Sequence, residues 1–254
     1  MIKGVRTTML NEINDIVGWL QKKVKEAKAK GLLVGVSGGL DSAVVAYLIK
    51  RAFPNNSLGV LMPLKTNKSD LDDAKAVIKA CNINAVTVDL SESHGILYRT
   101  IQDELRKKNE LNKSVDQLAD ANLRARLRMS TLYTLAANYN YLVTGTDNKS
   151  EWYTGYFTKY GDGGVDLQPI LNFTKTETVK LAKSLGVPEQ IITKKPSADL
   201  WEGQTDELEM GTSYKQIDAF LEGKPVPSKD EAIIKSMHIR TEHKRHLPPQ
   251  YKRK

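Results

Sequence analysis

The strongest constraint on the fold is an alternation of short apolar runs with amphipathic segments along the first 144 residues. The apolar runs have the length and composition of buried strands and lie at 32–36, 58–62, 85–90 and 141–144. Apolar residues at helical spacing predict helices at 7–30, 42–51, 70–81 and 122–137. The first of these helices is expected to end at Gly31. This alternation predicts an α/β fold with a mainly parallel, doubly wound sheet and helices on both faces.

The pattern changes after about residue 150. Residues 151–172 are rich in glycine, aromatic and charged residues, which predicts a structured loop with a functional role. Helices are expected at 175–185 and 214–221, and residues 223–227 form a flexible connector before a last helix. Since no internal repeat or second domain is visible, residues 1–254 are expected to form a single domain with a basic tail at 235–254.

Composition excludes several classes of protein. No run approaches the roughly 18 to 20 apolar residues that span a bilayer, and the first 11 residues lack the apolar core of a secretion signal. Cys81 is the only cysteine, so an internal disulfide is impossible and a cytoplasmic location is expected. Because Cys81 follows an apolar helical run, a buried structural role is expected for it.

The formal charge of +8 is concentrated at one end of the chain. Residues 235–254 carry +6, which leaves +2 for the other 234 residues. Such a tail could meet an anionic substrate or a nucleic acid, or it could be a solvated end.

The strongest local motif lies between a predicted strand and a predicted helix. It consists of Gly35, Val36, Ser37, Gly38, Gly39, Leu40, Asp41 and Ser42. The glycines allow a tight turn, and the following helix start directs N–H groups at an anion such as phosphate. Beside phosphate Asp41 needs a bridging cation, which indicates a magnesium ligand. The alternative is a simple glycine turn in which Asp41 and Ser42 cap the helix.

This run closely resembles the SGGxDS signature of the ATP-pyrophosphatase family, whose members release pyrophosphate and leave AMP on the substrate. Further along, the chain resembles the NAD synthetase family within it. That resemblance is carried by TGTDNKSE at 144–151, TGYFTKYGDGGVD at 154–166, KPSADL at 195–200, DE at 206–207, YKQID at 214–218 and TEHKR at 241–245. It extends in order from about residue 30 to 246.

The resemblance implies a role for each matching residue. The ATP contacts would be the loop at 35–42, Thr146, Ser197 and Lys175, the last on the phosphates. The magnesium carboxylates would be Asp41 and Glu151. The deamido-NAD contacts would be Arg126, Lys159, Asp166, His243 and Lys244.

Residue chemistry leaves some alternatives open. Glu151 could be a solvated loop acid, and Lys175 could merely lie at a helix start, although a cation is poorly suited there. On the helix at 122–137, Arg126 shares a face with Asn122, Met129 and Tyr133. A solvated surface role is expected for the other two arginines of this helix, Arg124 and Arg128.

The implied reaction converts a carboxylate to its adenylate, which ammonia attacks to displace AMP. A carboxylate such as Asp162 would take the proton from ammonium, although an Asp-Gly pair is also a common turn. No amidotransferase residues are visible, so free ammonia is the expected nitrogen donor unless a separate protein supplies it. The resemblance also implies a homodimer.

Two features depart from the family pattern. Asn148, Lys149 and Ser150 stand where small residues and histidine are common, and Ser197 replaces a threonine but keeps its hydroxyl. Two other functions fit parts of the sequence: a different ligase of the same loop class, and a nucleic-acid-binding module that uses the basic tail. The GYFTKYGDGG run argues against the first, and the nearly neutral body of the chain argues against the second.

Overall fold

A computed structural model describes residues 2–197 and 205–253, with side chains from residue 9 onward. The four strands are β1 (Gly31–Gly35), β2 (Ser57–Leu61), β3 (Asn84–Thr87) and β4 (Tyr141–Val143). The helices are α1 (Ile2–Glu26), α2 (Leu40–Ala52), α3 (Lys68–Cys81), α4 (Ser91–Lys107), α5 (Asp116–Tyr139), α6 (Lys149–Thr154), α7 (Lys175–Leu185), α8 (Glu189–Ile192), α9 (Asp206–Met210), α10 (Tyr214–Leu221) and α11 (Ser228–Arg240). Short 3-10 helices lie at Lys113–Val115 and Glu242–Lys244.

The strands form one parallel sheet in the order β3-β2-β1-β4. The strand order reverses direction at β1, because the chain passes from β1 outward to β2 and β3 and then returns to β4 on the other side. Such a reversal opens a crevice at the carboxyl edge of the sheet, where ligands bind. An isolated bridge between Thr144 and Leu167 extends the sheet just past β4.

The sheet is covered on both faces, as the strand residues of β1 illustrate. Leu32 and Val34 pack into the larger core with α1, α2, α3 and α7, whereas Leu33 points to the opposite core with α5. This alternation follows from the twofold side-chain period of a strand. The predicted α/β class, the parallel sheet and the helices on both faces are therefore confirmed.

One local prediction was wrong, and one helix was not predicted. The first helix ends at Glu26, and Gly31 is the first residue of β1, where an added Cβ would lie 2.0 Å from the carbonyl oxygen of Asn56. Gly31 is thus required by close packing between strands. Helix α4 was not predicted, since several of its apolar residues, including Ile96 and Ile101, lie on the solvent side.

The segment that follows the connector at 223–227 is packed against the body. Helix α11 contacts α6 and α10, and Arg245 donates from Nη1 to the carbonyl oxygens of Trp152 and Tyr153 at 3.4 and 3.2 Å. The basic tail is therefore packed against the protein as far as Arg245. To that point it is not the solvated end that the charge pattern allowed. None of the described helices is long and apolar enough to cross a lipid bilayer.

Candidate active site

A cavity of about 490 Å³ opens at the carboxyl ends of β1, β2 and β4. Its walls come from the loop after β1, from α5 and from the segment that follows β4. Among the predicted site residues, those that line it are Gly35, Val36, Ser37, Gly39, Leu40, Asp41, Ser42, Thr146, Glu151, Asp162, Lys175 and Ser197. The motif residues Ala198, Asp199 and Leu200 lie outside the described residues.

The loop after β1 is held by its own hydroxyl groups. The Ser37 and Ser42 Oγ atoms are 3.1 Å apart, and the Ser42 hydroxyl donates to the carbonyl oxygen of Gly39 at 3.0 Å. Gly38 has a φ of +86°, and a Cβ there would lie 2.5 Å from the carbonyl oxygen of Asp70. Glycine is therefore required where the loop passes the backbone of α3.

Helix α2 begins at Leu40 without a side-chain cap. Its N-cap residue is Gly39, and Asp41 and Ser42 lie inside the first turn. The alternative in which these two residues cap the helix is therefore wrong. A helix start without a side-chain cap offers its first N–H groups to an anion in the cavity.

Three charged side chains from distant parts of the chain meet in the cavity. The Lys175 ammonium donates to Asp41 Oδ2 at 2.5 Å and to Glu151 Oε1 at 3.3 Å. Lys175 is the first residue of α7, where Thr174 forms a capping box with Glu177 that fixes the helix start. The alternative of a solvated Glu151 is wrong, because both side chains are largely buried in this contact. Lys175 does lie at a helix start, as the other alternative has it, but its ammonium is paired with two carboxylates.

Burial and the neighbouring charges shift the pKa values of Glu151 and Lys175. Burial raises the pKa of Glu151 to about 7, although the Lys175 charge opposes the shift. Burial alone would lower the pKa of Lys175, but the Asp41 and Glu151 carboxylates outweigh it, and the pKa is raised. Lys175 therefore stays protonated and neutralises part of the carboxylate charge.

Tyrosines connect this group to a further acid that the sequence analysis gave no role. The Tyr214 hydroxyl lies 3.0 Å from Glu151 Oε1 and 2.9 Å from Asp206 Oδ2. Tyr156 donates to Asp206 Oδ1 at 3.3 Å. Burial raises the pKa of Asp206. These contacts hold the Glu151 carboxylate in place from the side of α9 and α10.

Another acid, Asp147, lies in the same cavity. The sequence analysis assigned no role to it either. Asp147 is 4% exposed, and its Oδ2 atom has no hydrogen-bond partner among the described residues. Burial raises its pKa well above the usual range, and Asp162 is the neighbouring charge with the largest effect. The Asp162 Oδ1 atom accepts a hydrogen bond from the Thr158 N–H at 2.8 Å.

The residues predicted for the dinucleotide lie outside this cavity. Four of them form one surface group in which Arg126 Nε donates to the carbonyl oxygen of Lys159 at 3.3 Å, and Lys159 Nζ donates to that of His243 at 2.5 Å. Lys244, the fourth member, donates to the carbonyl oxygens of Gly155 and Phe157 at 2.8 and 2.6 Å. Its ammonium therefore fixes residues 155–164, here called the glycine loop.

Asp166 is separate from these four residues. Its carboxylate accepts from the Val143 N–H at 2.8 Å and from the Tyr133 hydroxyl at 3.0 Å. These bonds connect the end of the glycine loop region to β4 and α5. The side chain is nevertheless exposed, so it can also meet a ligand at the surface.

The prediction that Arg124 and Arg128 are solvated was wrong. Arg124 is 2% exposed, with Nε 3.0 Å from Asp120 Oδ2. Arg128 donates from Nε to the carbonyl oxygen of Met62 at 3.4 Å, and it lines the cavity. Both arginines are covered because α4 and the segment after β2 pack over this face of α5, which local spacing does not reveal.

The departure at 148–150 has a structural explanation. Asn148 caps α6 in a capping box with Glu151, and its Nδ2 atom donates to Asp41 Oδ1 at 3.2 Å. Ser150 donates to Asp218 Oδ1 at 2.5 Å and accepts from the Lys175 N–H at 3.2 Å. Both residues therefore fix the positions of Asp41, Glu151 and Lys175 relative to one another.

Comparison with known proteins places the chain among relatives of one kind. A family model described as NAD synthase matches residues 12–248. The NH(3)-dependent NAD(+) synthetase of Alkaliphilus oremlandii is 55% identical over 237 residues, which are 93% of this chain and 95% of that protein. The enzyme of the same name from Carboxydothermus hydrogenoformans is 48% identical over 96% of this chain and 98% of its own.

Two solved structures share the fold over nearly the whole chain. The NMN synthetase of Francisella tularensis has a TM-score of 0.88 and 37% identity, covering 96% of this chain and 98% of that chain. The NH3-dependent NAD synthetase of Campylobacter jejuni, solved with a nitrate ion, has a TM-score of 0.74 and 31% identity, covering 96% and 99%.

Proposed function

The chain belongs to the NAD synthase family, and from that premise we propose that it makes NAD by amidating deamido-NAD with ammonia and ATP. The products besides NAD are AMP and pyrophosphate, and an adenylated carboxylate is the intermediate. One observation carries this proposal. The Lys175 ammonium donates to Asp41 and Glu151 beside the loop at 35–42. A loop that binds pyrophosphate next to a lysine and two carboxylates suits release of pyrophosphate, not of a single phosphate.

The chain's own residues act on the triphosphate. The start of α2 presents N–H groups to the pyrophosphate, and Ser37 and Ser42 add hydroxyl donors. The Lys175 ammonium, positioned by the N-terminus of α7, stabilises charge that builds on the leaving group. Thr146 and Ser197 line the cavity and contact ATP.

Asp41 and Glu151 fit a magnesium ion, because the pair already shares one cation, the Lys175 ammonium. Magnesium bound to proteins commonly uses one or two carboxylates and completes its ligands with phosphate oxygens and water. When bound, it supplies neutralising charge to the departing pyrophosphate. With the carboxylate charge shared by such an ion, the Lys175 ammonium would be available to the phosphates.

The dinucleotide binds on the surface beside the glycine loop. It contacts the group formed by Arg126, Lys159 and His243 and, separately, Asp166. Lys244 supports this surface through the backbone of the loop. Asp162 takes the proton that ammonium must lose before its nitrogen can attack. The carboxylate is oriented for this by the Thr158 N–H.

The chain works as a homodimer in a reducing compartment such as the cytoplasm. Support for a dimer comes from exposed apolar side chains on α4, on the 3-10 helix at Lys113–Val115 and at the start of α5, namely Ile96, Leu97, Ile101, Val115 and Leu118. An apolar surface of this kind is typical of protein–protein contacts. The free thiol of Cys81 supports the compartment. Sedimentation of the wild type and of an Ile101→Asp variant tests the dimer.

One incubation tests the function. Purified protein receives ATP, magnesium, ammonium and deamido-NAD, and NAD, AMP and pyrophosphate are measured. Equal amounts of the three products are expected, whereas ADP and phosphate as products would refute the proposal. Glutamine in place of ammonium should give no NAD.

The named function of the Francisella relative supplies a second candidate, amidation at the mononucleotide level. Nicotinate mononucleotide is therefore run as a parallel substrate. A specificity constant higher for deamido-NAD supports NAD formation, and the reverse ratio supports NMN formation.

A further inference from the structure

Thr144 and Asp147 place unpartnered polar atoms in the walls of the cavity. Thr144 Oγ1 and Asp147 Oδ2 have no hydrogen-bond partner within the described ranges, and the two side chains are 2% and 4% exposed. Both residues line the cavity at the end of β4. A buried polar atom without a partner is costly to the fold, and such atoms commonly mark a ligand position.

The charges around Asp147 indicate a cationic ligand. Its carboxylate is close enough to Asp162 for each charge to affect the other, and Glu151 and Asp41 add further negative charge. Lys244 lies near both acids, and Arg128 lies near Asp162. The Lys244 ammonium donates to backbone carbonyl oxygens of the glycine loop, and Arg128 Nε donates to that of Met62. Asp147, Asp162 and Thr144 therefore place two carboxyl groups and a hydroxyl in the wall of one cavity.

Asp147 does not belong to a three-ligand metal site in the described part of the chain. Among the described residues, no three carboxylate, imidazole or thiol groups are arranged to hold a metal ion together. Asp147 therefore does not complete a metal site with Asp41 and Glu151. A hydrogen-bonding cation fits these groups, because its directed N–H donors can satisfy separate acceptor oxygens.

We infer that Asp147 is a further catalytic residue of the amidation and that, with Asp162 and the Thr144 hydroxyl, it binds the substrate ammonium ion. This inference rests on the function proposed above and names the site of its second substrate. It differs from the sequence-based assignment, which gave the ammonium chemistry to Asp162 alone.

The chemistry balances with these groups. Ammonium gives one proton to a carboxylate of the pair and becomes ammonia, whose lone pair attacks the acyl carbon of the adenylate. A C–N bond forms, and the C–O bond to the phosphate breaks with its electron pair leaving on AMP. The nitrogen then loses a second proton to solvent, which gives the neutral amide. Burial, which raises the pKa of Asp147, favours its protonated product form.

The test separates ammonium binding from adenylation. For Asp147→Asn, the Michaelis constant for ammonium chloride is measured at saturating ATP and deamido-NAD. Adenylation is followed without ammonium as deamido-NAD-dependent exchange of pyrophosphate into ATP. We expect the Michaelis constant for ammonium to rise about tenfold or more, since a charge-assisted hydrogen bond is lost. Exchange should remain within about twofold of the wild type, because adenylation does not involve the ammonium site.

Matched variants keep the test decisive. Asp230→Asn removes a carboxylate that accepts from Thr212 away from the cavity, and it should leave the Michaelis constant for ammonium unchanged. Asp147→Ser provides a second variant if the asparagine protein does not fold. An unchanged Michaelis constant for ammonium, or an equal loss of exchange and of amidation, would overturn the inference. If the wild type itself forms no amide, the proposed function fails instead.

Discussion

Lys175→Met is the substitution whose effect on stability follows most directly from the contacts in the site. Lys175, Asp41 and Glu151 have side chains that are 9, 15 and 13% exposed. Methionine keeps most of the aliphatic stem but removes the ammonium that both carboxylates share. Two mutually repelling carboxylates then remain in a poorly solvated site.

The loss of stability follows from the type of contact that is removed, a buried ion pair. Removing one partner of a buried ion pair costs about 3–5 kcal/mol. The carboxylates keep hydrogen bonds from Asn148 and Tyr214, which compensate part of the lost contact. We therefore expect the free energy of unfolding to fall by about 2–3 kcal/mol at mildly alkaline pH.

The loss should depend on pH in a defined direction. The pKa of Glu151 in the fold is about 7, above its ordinary value of 4.5, and it rises further when the Lys175 charge is removed. A raised folded-state pKa gives stability that is present below the unfolded pKa and is lost as pH rises through the folded pKa. Protonation of Glu151 therefore relieves the repulsion, and the deficit of Lys175→Met should be smaller at about pH 6 than at about pH 8.5.

Urea unfolding followed by circular dichroism at these two pH values measures both effects. Lys180→Met, on an exposed position of the same helix, should change the free energy of unfolding by less than about 0.5 kcal/mol. Adding Glu151→Gln to Lys175→Met should restore part of the loss. A deficit below about 1 kcal/mol, or one that is equal at both pH values, would show that the three groups do not form the buried unit described.

Three further experiments test separate features. Burial raises the pKa of the Cys81 thiol to about 11, so native protein should react with iodoacetamide at pH 8 about a hundredfold more slowly than urea-unfolded protein; similar rates would contradict its burial. Gly38→Ala should cost at least about 1–3 kcal/mol and abolish pyrophosphate exchange, whereas Gly18→Ala, in open space on α1, should be neutral or stabilising. Lys244→Met should speed hydrogen exchange in the glycine loop and lower the turnover number, while Lys252→Met, in the exposed end, should do neither; unchanged exchange would mean that the ammonium does not hold the loop.

The strands and most helices were predictable because their signals are local. The apolar runs of β1 and β2 and the helical spacing of α7 and α10 identify these elements within one or two residues. Helix α4 was missed because part of its apolar surface, including Ile96 and Leu97, is not packed on the core. The role of α4 depends on what covers that surface. The spacing of apolar residues within the helix does not reveal this.

The candidate site was predictable to the extent that it is contiguous. The loop at 35–42 contains both its glycines and its hydroxyls in eight residues, so its form follows from the sequence. Burial of Asp147 and Arg124 depends instead on segments far along the chain, which decide whether a charged side chain is solvated or enclosed. Nothing in the residues next to Asp147 indicates that one of its oxygens has no partner.

The cavity is lined by more acidic side chains than expected for a site that binds ATP in the proposed function. Their negative charge opposes binding of the triphosphate. Asp41, Glu151 and Asp147 all face a space that must accept a polyanion. Lys175 is engaged by two of these acids, and Lys194 is paired with Asp73 at 2.7 Å. Free triphosphate would therefore meet net repulsion. In the function proposed above, a divalent ion that arrives with ATP would neutralise Asp41 and Glu151, and ammonium would neutralise Asp147 at a different position of the same cavity. Adenylation would then depend on the divalent ion and amidation on ammonium, so that the two steps use separate charge-neutralising partners.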